Sequence, residues 1–155
     1  MPNLVYNRGK FITGQINLAA TSIDLMLMLV TTGYTSDDAH NLVDDGTTND
    51  PKSYEISVGG YARQALASRA LFEDDTNDFA GLDATDVTFS ALAAGATIGG
   101  AVLYRYSTSG GTTSDTGQDL LALYDVTDTP TNGGDITIQW ASTSAGGVLK
   151  LGSTS

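Results

Sequence analysis

His40 is the only histidine in the chain, and there are no cysteines. No G-x-S-x-G nucleophile turn accompanies His40, and a lone histidine without cysteines makes a poor zinc site. A loop or hydrogen-bonded supporting role is the expected one. The acidic stretch Glu73-Asp74-Asp75-Thr76-Asn77-Asp78, with Asp83 and Asp86, supplies the hard oxygens that calcium prefers. Its spacing departs from the EF-hand loop, so a solvated turn closed by Asx hydrogen bonds is the favoured reading. No cofactor is expected, and calcium at 73–86 stands as the alternative. Paired carboxylates also serve glycoside hydrolysis, but nothing in the sequence specifies a buried acid or a sugar cleft. Gly95, Gly99 and Gly100, and the pair Gly110-Gly111, lack a following G-K-[ST] and read as turn glycines rather than a phosphate loop. The expectation is a protein without catalytic residues.

Interface chemistry is better represented. Tyr34, Tyr54, Tyr61, Tyr104, Tyr106 and Tyr124 join large apolar area to a polar tip, a combination enriched at protein contacts. Those on strands serve a core equally well. Arg63, Arg69 and Arg105 are scarce cations in an acidic chain, suited to pairing with carboxylates across a subunit contact or within the fold. Tyr34, Tyr61, Arg63, Arg105 and Tyr106 are the candidate interface residues.

The elements that must position these groups are mostly strands. Ile23–Thr31 is the most apolar run: Ile23, Leu25, Leu27 and Leu29 alternate with Met26, Met28 and Val30, as in a strand covered on both faces. Further strands are expected at Ser53–Val58 (Tyr54, Ile56 and Val58 on one face), Tyr61–Ala70, Val87–Ala91, Ala101–Tyr106, Leu120–Val126, Ile136–Trp140 and Val148–Leu151. Lys10–Ala19 reads as a short helix weakened by Gly14, and Ser36 as the cap of one turn through His40. Loops are expected at 44–52, 73–86 and 107–119 and a turn cluster at 128–134. The long loops at 44–52 and 107–119 read as contact arms. The pattern predicts an all-β protein: a β-sandwich or jelly-roll-like single domain over 1–155, with long loops and little helix.

Seven basic against eighteen acidic residues give a net charge of −11. Such a surface repels phosphate, which disfavours direct nucleic-acid binding and an anionic membrane. The longest apolar run, Leu25–Val30, is far shorter than a membrane span. The N-terminus lacks the pattern of a secretory signal, so the chain is expected to be made and used in the cytoplasm, or carried out inside a particle.

The order of several short segments adds a resemblance. Gly33-Tyr34-Thr35 with His40 follows the Met/Leu-rich run, then Gly59-Gly60-Tyr61-Ala62-Arg63, Asp75-Thr76-Asn77-Asp78 and Asp83-Ala84-Thr85-Asp86-Val87-Thr88-Phe89. Gly99-Gly100-Ala101-Val102-Leu103-Tyr104, Leu120–Asp125, Asn132-Gly133-Gly134 and Trp140 complete the series over 23–151. In this order the segments resemble a group of small tailed-bacteriophage and prophage virion structural proteins. The resemblance implies a virion subunit assembled in the host bacterial cytoplasm. Its first expected role is capsid decoration, or cement, with the major capsid protein and copies of itself as partners. A tail or tail-fibre subunit that binds a receptor or carbohydrate is the alternative.

Overall fold

A computed structural model describes residues 4–107 and 114–151. The chain folds as an all-β protein, with one short α-helix among the described residues. Every strand pairing among the described residues is antiparallel. Five strands form the main sheet in the order β1 (Leu4–Val5), β8 (Asp119–Pro130), β7 (Thr97–Tyr106), β2 (Asp24–Thr31) and β3 (Gln64–Ala65). A second sheet orders β10 (Leu149–Leu151), β5 (Phe79–Asp83) and β4 (Ala70–Asp74); a third pairs β6 (Val87–Phe89) with β9 (Ile136–Ile138).

The main sheet is apolar on both faces, as the run at 23–31 requires. Leu25, Leu27 and Leu29 pack with Ala101 and Leu103 against residues from the smaller sheets, including Leu82, Val87, Phe89, Ile138 and Leu149. Met28 and Val30 point the other way, into a cluster with Tyr6, Tyr34, Val43, Val102, Tyr104, Leu120 and Leu123. Each fully buried Leu or Val contributes about 1.5–3 kcal/mol, so this two-sided strand anchors both layers at once.

A β-bulge in β8 decides where the helix sits. Leu103 pairs with Ala122 and Tyr104 with Leu120, which leaves Leu121 as the extra residue. The Leu121 carbonyl accepts from Tyr6 N at 3.1 Å, and Gly9 lies directly against the backbone of the same residue. α1 accordingly spans Asn7–Thr13, starting three residues and ending six residues before the expected helix at Lys10–Ala19. It ends at Gly14, whose N–H bonds to the carbonyls of Ile12 and Lys10.

Several loop and strand expectations are corrected. Ser53–Val58 is not a strand: Asp50 accepts from Ser53 N at 2.9 Å and caps a 3-10 turn over Pro51–Tyr54. Tyr54 and Ile56 then pack on opposite faces of the main sheet rather than on one. Tyr61–Ala70 contributes only the two-residue β3 before β4 begins. The acidic region 73–86 is largely the hairpin β4–β5, not an open loop, and β8 continues through Asp128 to Pro130 instead of turning there. Asp37, not Ser36, holds the turn before His40, accepting from Ala39 N at 2.9 Å. Of the expected loop 107–119, residues 108–113 lie outside the described residues, and Asp115–Gly117 forms a 3-10 turn. Gln118 joins the two flanks, accepting from Ser107 N at 2.6 Å and donating to the carbonyls of Ser107 and Ser114.

Candidate functional site

The densest polar constellation centres on Arg63. Its guanidinium grips Glu55 through Nε (2.7 Å) and Nη2 (2.8 Å), and Asp115 through Nη1 (2.6 Å) and Nη2 (3.0 Å). Nη1 also donates to the Tyr104 hydroxyl at 3.1 Å. A planar fork can satisfy two carboxylates this way; a lysine ammonium cannot. Glu55 further accepts from Lys52 Nζ (2.6 Å) and from the Tyr61 hydroxyl (2.8 Å), while that hydroxyl accepts from Leu29 N (3.1 Å). Arg63 and Lys52 thus balance Glu55 and Asp115. The cluster pins the 3-10 turn at 51–54, the segment before β3 and the turn at 115–117 to the sheet.

Electrostatics assign this cluster a holding role. Burial pushes the Glu55 carboxyl up, but the hydrogen bonds from Arg63 and Lys52 outweigh that and hold it down at about 2. It therefore stays ionised and accepts hydrogen bonds across the neutral range. Because the folded value lies below the ordinary 4.5, the associated stability is complete above that pH and is lost as pH falls towards 2. Its size is about 3 kcal/mol. Urea midpoints measured against pH should drop through this window, and Glu55→Gln should flatten that part of the profile.

A second ion cluster lies at the start of β8. Asp119, 3% exposed, receives Arg8 Nε at 2.6 Å and Arg105 Nη2. Arg105 stands opposite it in register on β7. Arg105 Nε is buried with no hydrogen-bond partner among the described residues. Arg8 also lies over the Phe11 ring, 5.5 Å from its centroid.

The candidate interface residues stand in different surroundings. Tyr34 is 2% exposed and offers no contact surface in this state. Its hydroxyl meets that of Tyr6 at 2.8 Å and His40 Nδ1 at 3.4 Å. Burial raises Tyr34 to about 12, against the opposing hydrogen bond from Tyr6. Tyr34→Phe should cost about 1–2 kcal/mol by orphaning the Tyr6 hydroxyl, whereas the double Tyr6→Phe/Tyr34→Phe variant should recover most of that loss. Chemical denaturation of the two variants beside the unchanged protein checks this. Tyr61 stacks on Phe89 with centroids 6.0 Å apart. Tyr106 packs half-buried against the Tyr34 layer. Arg63 and Arg105 are engaged in pairs within the chain. The arrangement joins Tyr61 with Arg63, and leaves Tyr34 and Arg105 in separate clusters.

Glu55, Asp115 and Asp119, the carboxylates that complete these clusters, were not singled out from sequence. The scarcity of arginine was the available signal, but the partners lie as far as 52 and 111 residues away. The acidic stretch at 73–78 closes a hairpin: Asp74 accepts from Thr76 N, Asn77 N and Asn77 Nδ2 at 2.9–3.0 Å. Among the described residues no group of three or more His, Asp or Glu converges to hold a metal ion.

One cleft, of about 370 Å³, opens between β8 and β9. Trp140 and Tyr124 meet edge to face in its wall, with centroids 5.0 Å apart, beside Asp125, Thr127 and Gln139. The Trp140 indole N–H donates to the Thr85 carbonyl at 2.9 Å and the Tyr124 hydroxyl to the Val148 carbonyl at 2.7 Å, so both polar tips are occupied within the fold. No protein-family model, curated protein or solved structure matches the chain.

Proposed function

We propose that the chain is a structural subunit of a tailed-phage particle, working as a capsid decoration protein through protein–protein contacts rather than catalysis. The observation that carries the reading is the saturation of the Arg63 cluster. Glu55 and Asp115, the carboxylates best placed for chemistry, are tied to Arg63 and hold loops in place. What faces outward is an acidic surface with isolated large apolar side chains. The ordered likeness of 23–151 to small virion proteins supplies the particle context. A decoration protein stabilises a shell by binding the assembled lattice better than loose subunits, and many symmetric copies multiply modest individual contacts. The net charge of −11 suits a basic acceptor surface on the major capsid protein.

Imaging purified particles and locating the chain by its density tests this. Regular copies over the capsid lattice are expected. Density confined to the tail would remove the decoration role.

The cleft beside Trp140 favours a second reading, a carbohydrate-binding subunit of the tail or fibre. An aromatic wall with Thr127 and Gln139 beside it is suited to stacking on and hydrogen-bonding a sugar. A glycan array run with the isolated protein distinguishes it: reproducible binding abolished by Trp140→Ala would favour this reading over decoration.

A further inference from the structure

Among the described residues two large apolar side chains stand well exposed: Phe11 at 55% and Leu71 at 50%. Single exposed apolar residues are ordinary; their surroundings set these two apart. Phe11 projects from α1 beside the exposed Lys10 and under the Arg8 guanidinium, which Asp119 holds in place. Leu71 lies on β4, the outer strand of its sheet, whose far edge has no strand partner among the described residues. Two residues on, Glu73 falls on the same side of that strand by the period of a β-strand, and Asp75 follows; both are exposed. Arg69, the nearest cation in sequence, is engaged within the chain and donates to the Ala20 carbonyl at 3.2 Å. One apolar group is thus bordered by positive charge and the other by negative charge.

We infer that copies of this chain dock head to tail, the Phe11 surface of one seating against the Leu71 surface of the next. Charge selects this pairing over its alternatives. A two-fold contact between Phe11 surfaces would bring Lys10 and Arg8 against their own copies, and one between Leu71 surfaces would oppose Glu73 and Asp75. Like charges across a contact oppose it, and unlike charges fix its register. Phe11 against Leu71 buries both exposed apolar groups and places Lys10 near Glu73. The contact is heterologous, so it closes into a ring or extends as a row of subunits. Either is compatible with repeated positions on a particle. The inference rests on the reading of the chain as a contact-forming subunit, but it is tested on the free protein, so its failure would leave the particle-imaging result untouched.

The experiment is sedimentation and light scattering of the full chain, with Phe11→Ser and Leu71→Ser variants alone and mixed. Both side chains are exposed, so native melting curves are expected, and each variant's curve is recorded first. The unchanged chain should self-associate in a concentration-dependent way that weakens as salt rises. Each variant alone should associate at least about tenfold more weakly. Mixed in equal amounts they should form dimers and stop there. Phe11→Ser keeps a working Leu71 surface, Leu71→Ser keeps a working Phe11 surface, and one productive contact remains. Lys10→Glu and Glu73→Lys give a second route independent of apolar truncation. Each alone should weaken association, because it sets like charges against each other at positions 10 and 73. Their mixture should restore it, because every contact between the two unlike variants again sets a cation against a carboxylate there. A chain that remains monomeric at every concentration overturns the inference. So does a single variant that associates as well as the unchanged chain, or a mixture of either pair that associates no better than its components.

Discussion

Replacing Arg63 with alanine is expected to destabilise the chain by about 3–5 kcal/mol, the usual cost of removing one partner from a buried ion pair. The loss exceeds that of a surface salt bridge because the side chains of Glu55 and Asp115 are only 10% and 18% exposed. Without the guanidinium they face each other with Lys52 as the remaining cation, 2.6 Å from Glu55 and 3.4 Å from Asp115. For a domain of this size the melting temperature should fall by about 10 °C. Arg63→Lys should recover only part of the loss, because an ammonium cannot make both two-pronged contacts. In a double-mutant cycle, Glu55→Gln with Arg63→Ala should cost less than the sum of the single changes by about 2 kcal/mol. An Arg63→Ala variant that melts with the unchanged protein would show that the cluster forms without contributing stability.

Gly9→Ala is expected to be comparably damaging, for a different reason. In an ordinary helix interior the substitution stabilises by about 1 kcal/mol. Here a Cβ at Gly9 would lie 2.2 Å from the Leu121 carbonyl oxygen and 2.8 Å from Leu121 Cα. The obstacle is backbone at a β-bulge inside the main sheet, so no rotamer change relieves it. α1 must lift away or the bulge must shift, at a cost of about 3 kcal/mol or more. Gly14→Ala is the matched control. Gly14 adopts a right-handed conformation with φ −75°, and its Cβ would come no nearer than 3.5 Å to another atom. It should be neutral or stabilise by up to about 1 kcal/mol. Denaturant midpoints for the two variants separate helix propensity from close approach.

Both effects arise from contacts between distant parts of the chain, which no local sequence pattern reports. The all-β class followed from short alternating runs and frequent turns. The two-faced burial of 23–31 followed from Leu25, Leu27 and Leu29 alternating with Met26, Met28 and Val30. Strands at 87–89, 101–106 and 136–138 were legible for the same reason: side chains alternate with a period of two, so a local pattern reports which residues are buried. Local pattern misleads where it competes with something remote. Tyr54, Ile56 and Val58 alternate correctly, but Asp50 and Pro51 start a 3-10 turn, while Glu55 is drawn to Arg63 and Lys52 to Asp115. Asp74, Asn77 and Asp78 look like an open acidic loop, yet the turn they close lets Phe72 and Phe79 meet at right angles, 6.0 Å apart.

The candidate site divides along the same line. Composition marked arginine and tyrosine as the residues to follow, because few cations serve many carboxylates in this chain. Tertiary structure alone selected Glu55 and Asp115 for Arg63, and Asp119 for Arg8 and Arg105. It also withdrew Tyr34 into the interior and left Phe11 and Leu71 outside. Hydrophobic periodicity is a property of neighbours along the chain, so the sequence by itself determined the strands and the layers they bury. An ion pair or a close backbone approach depends on which strands become adjacent and where β8 bulges. Those choices minimise the free energy of the whole fold, and no single segment carries them.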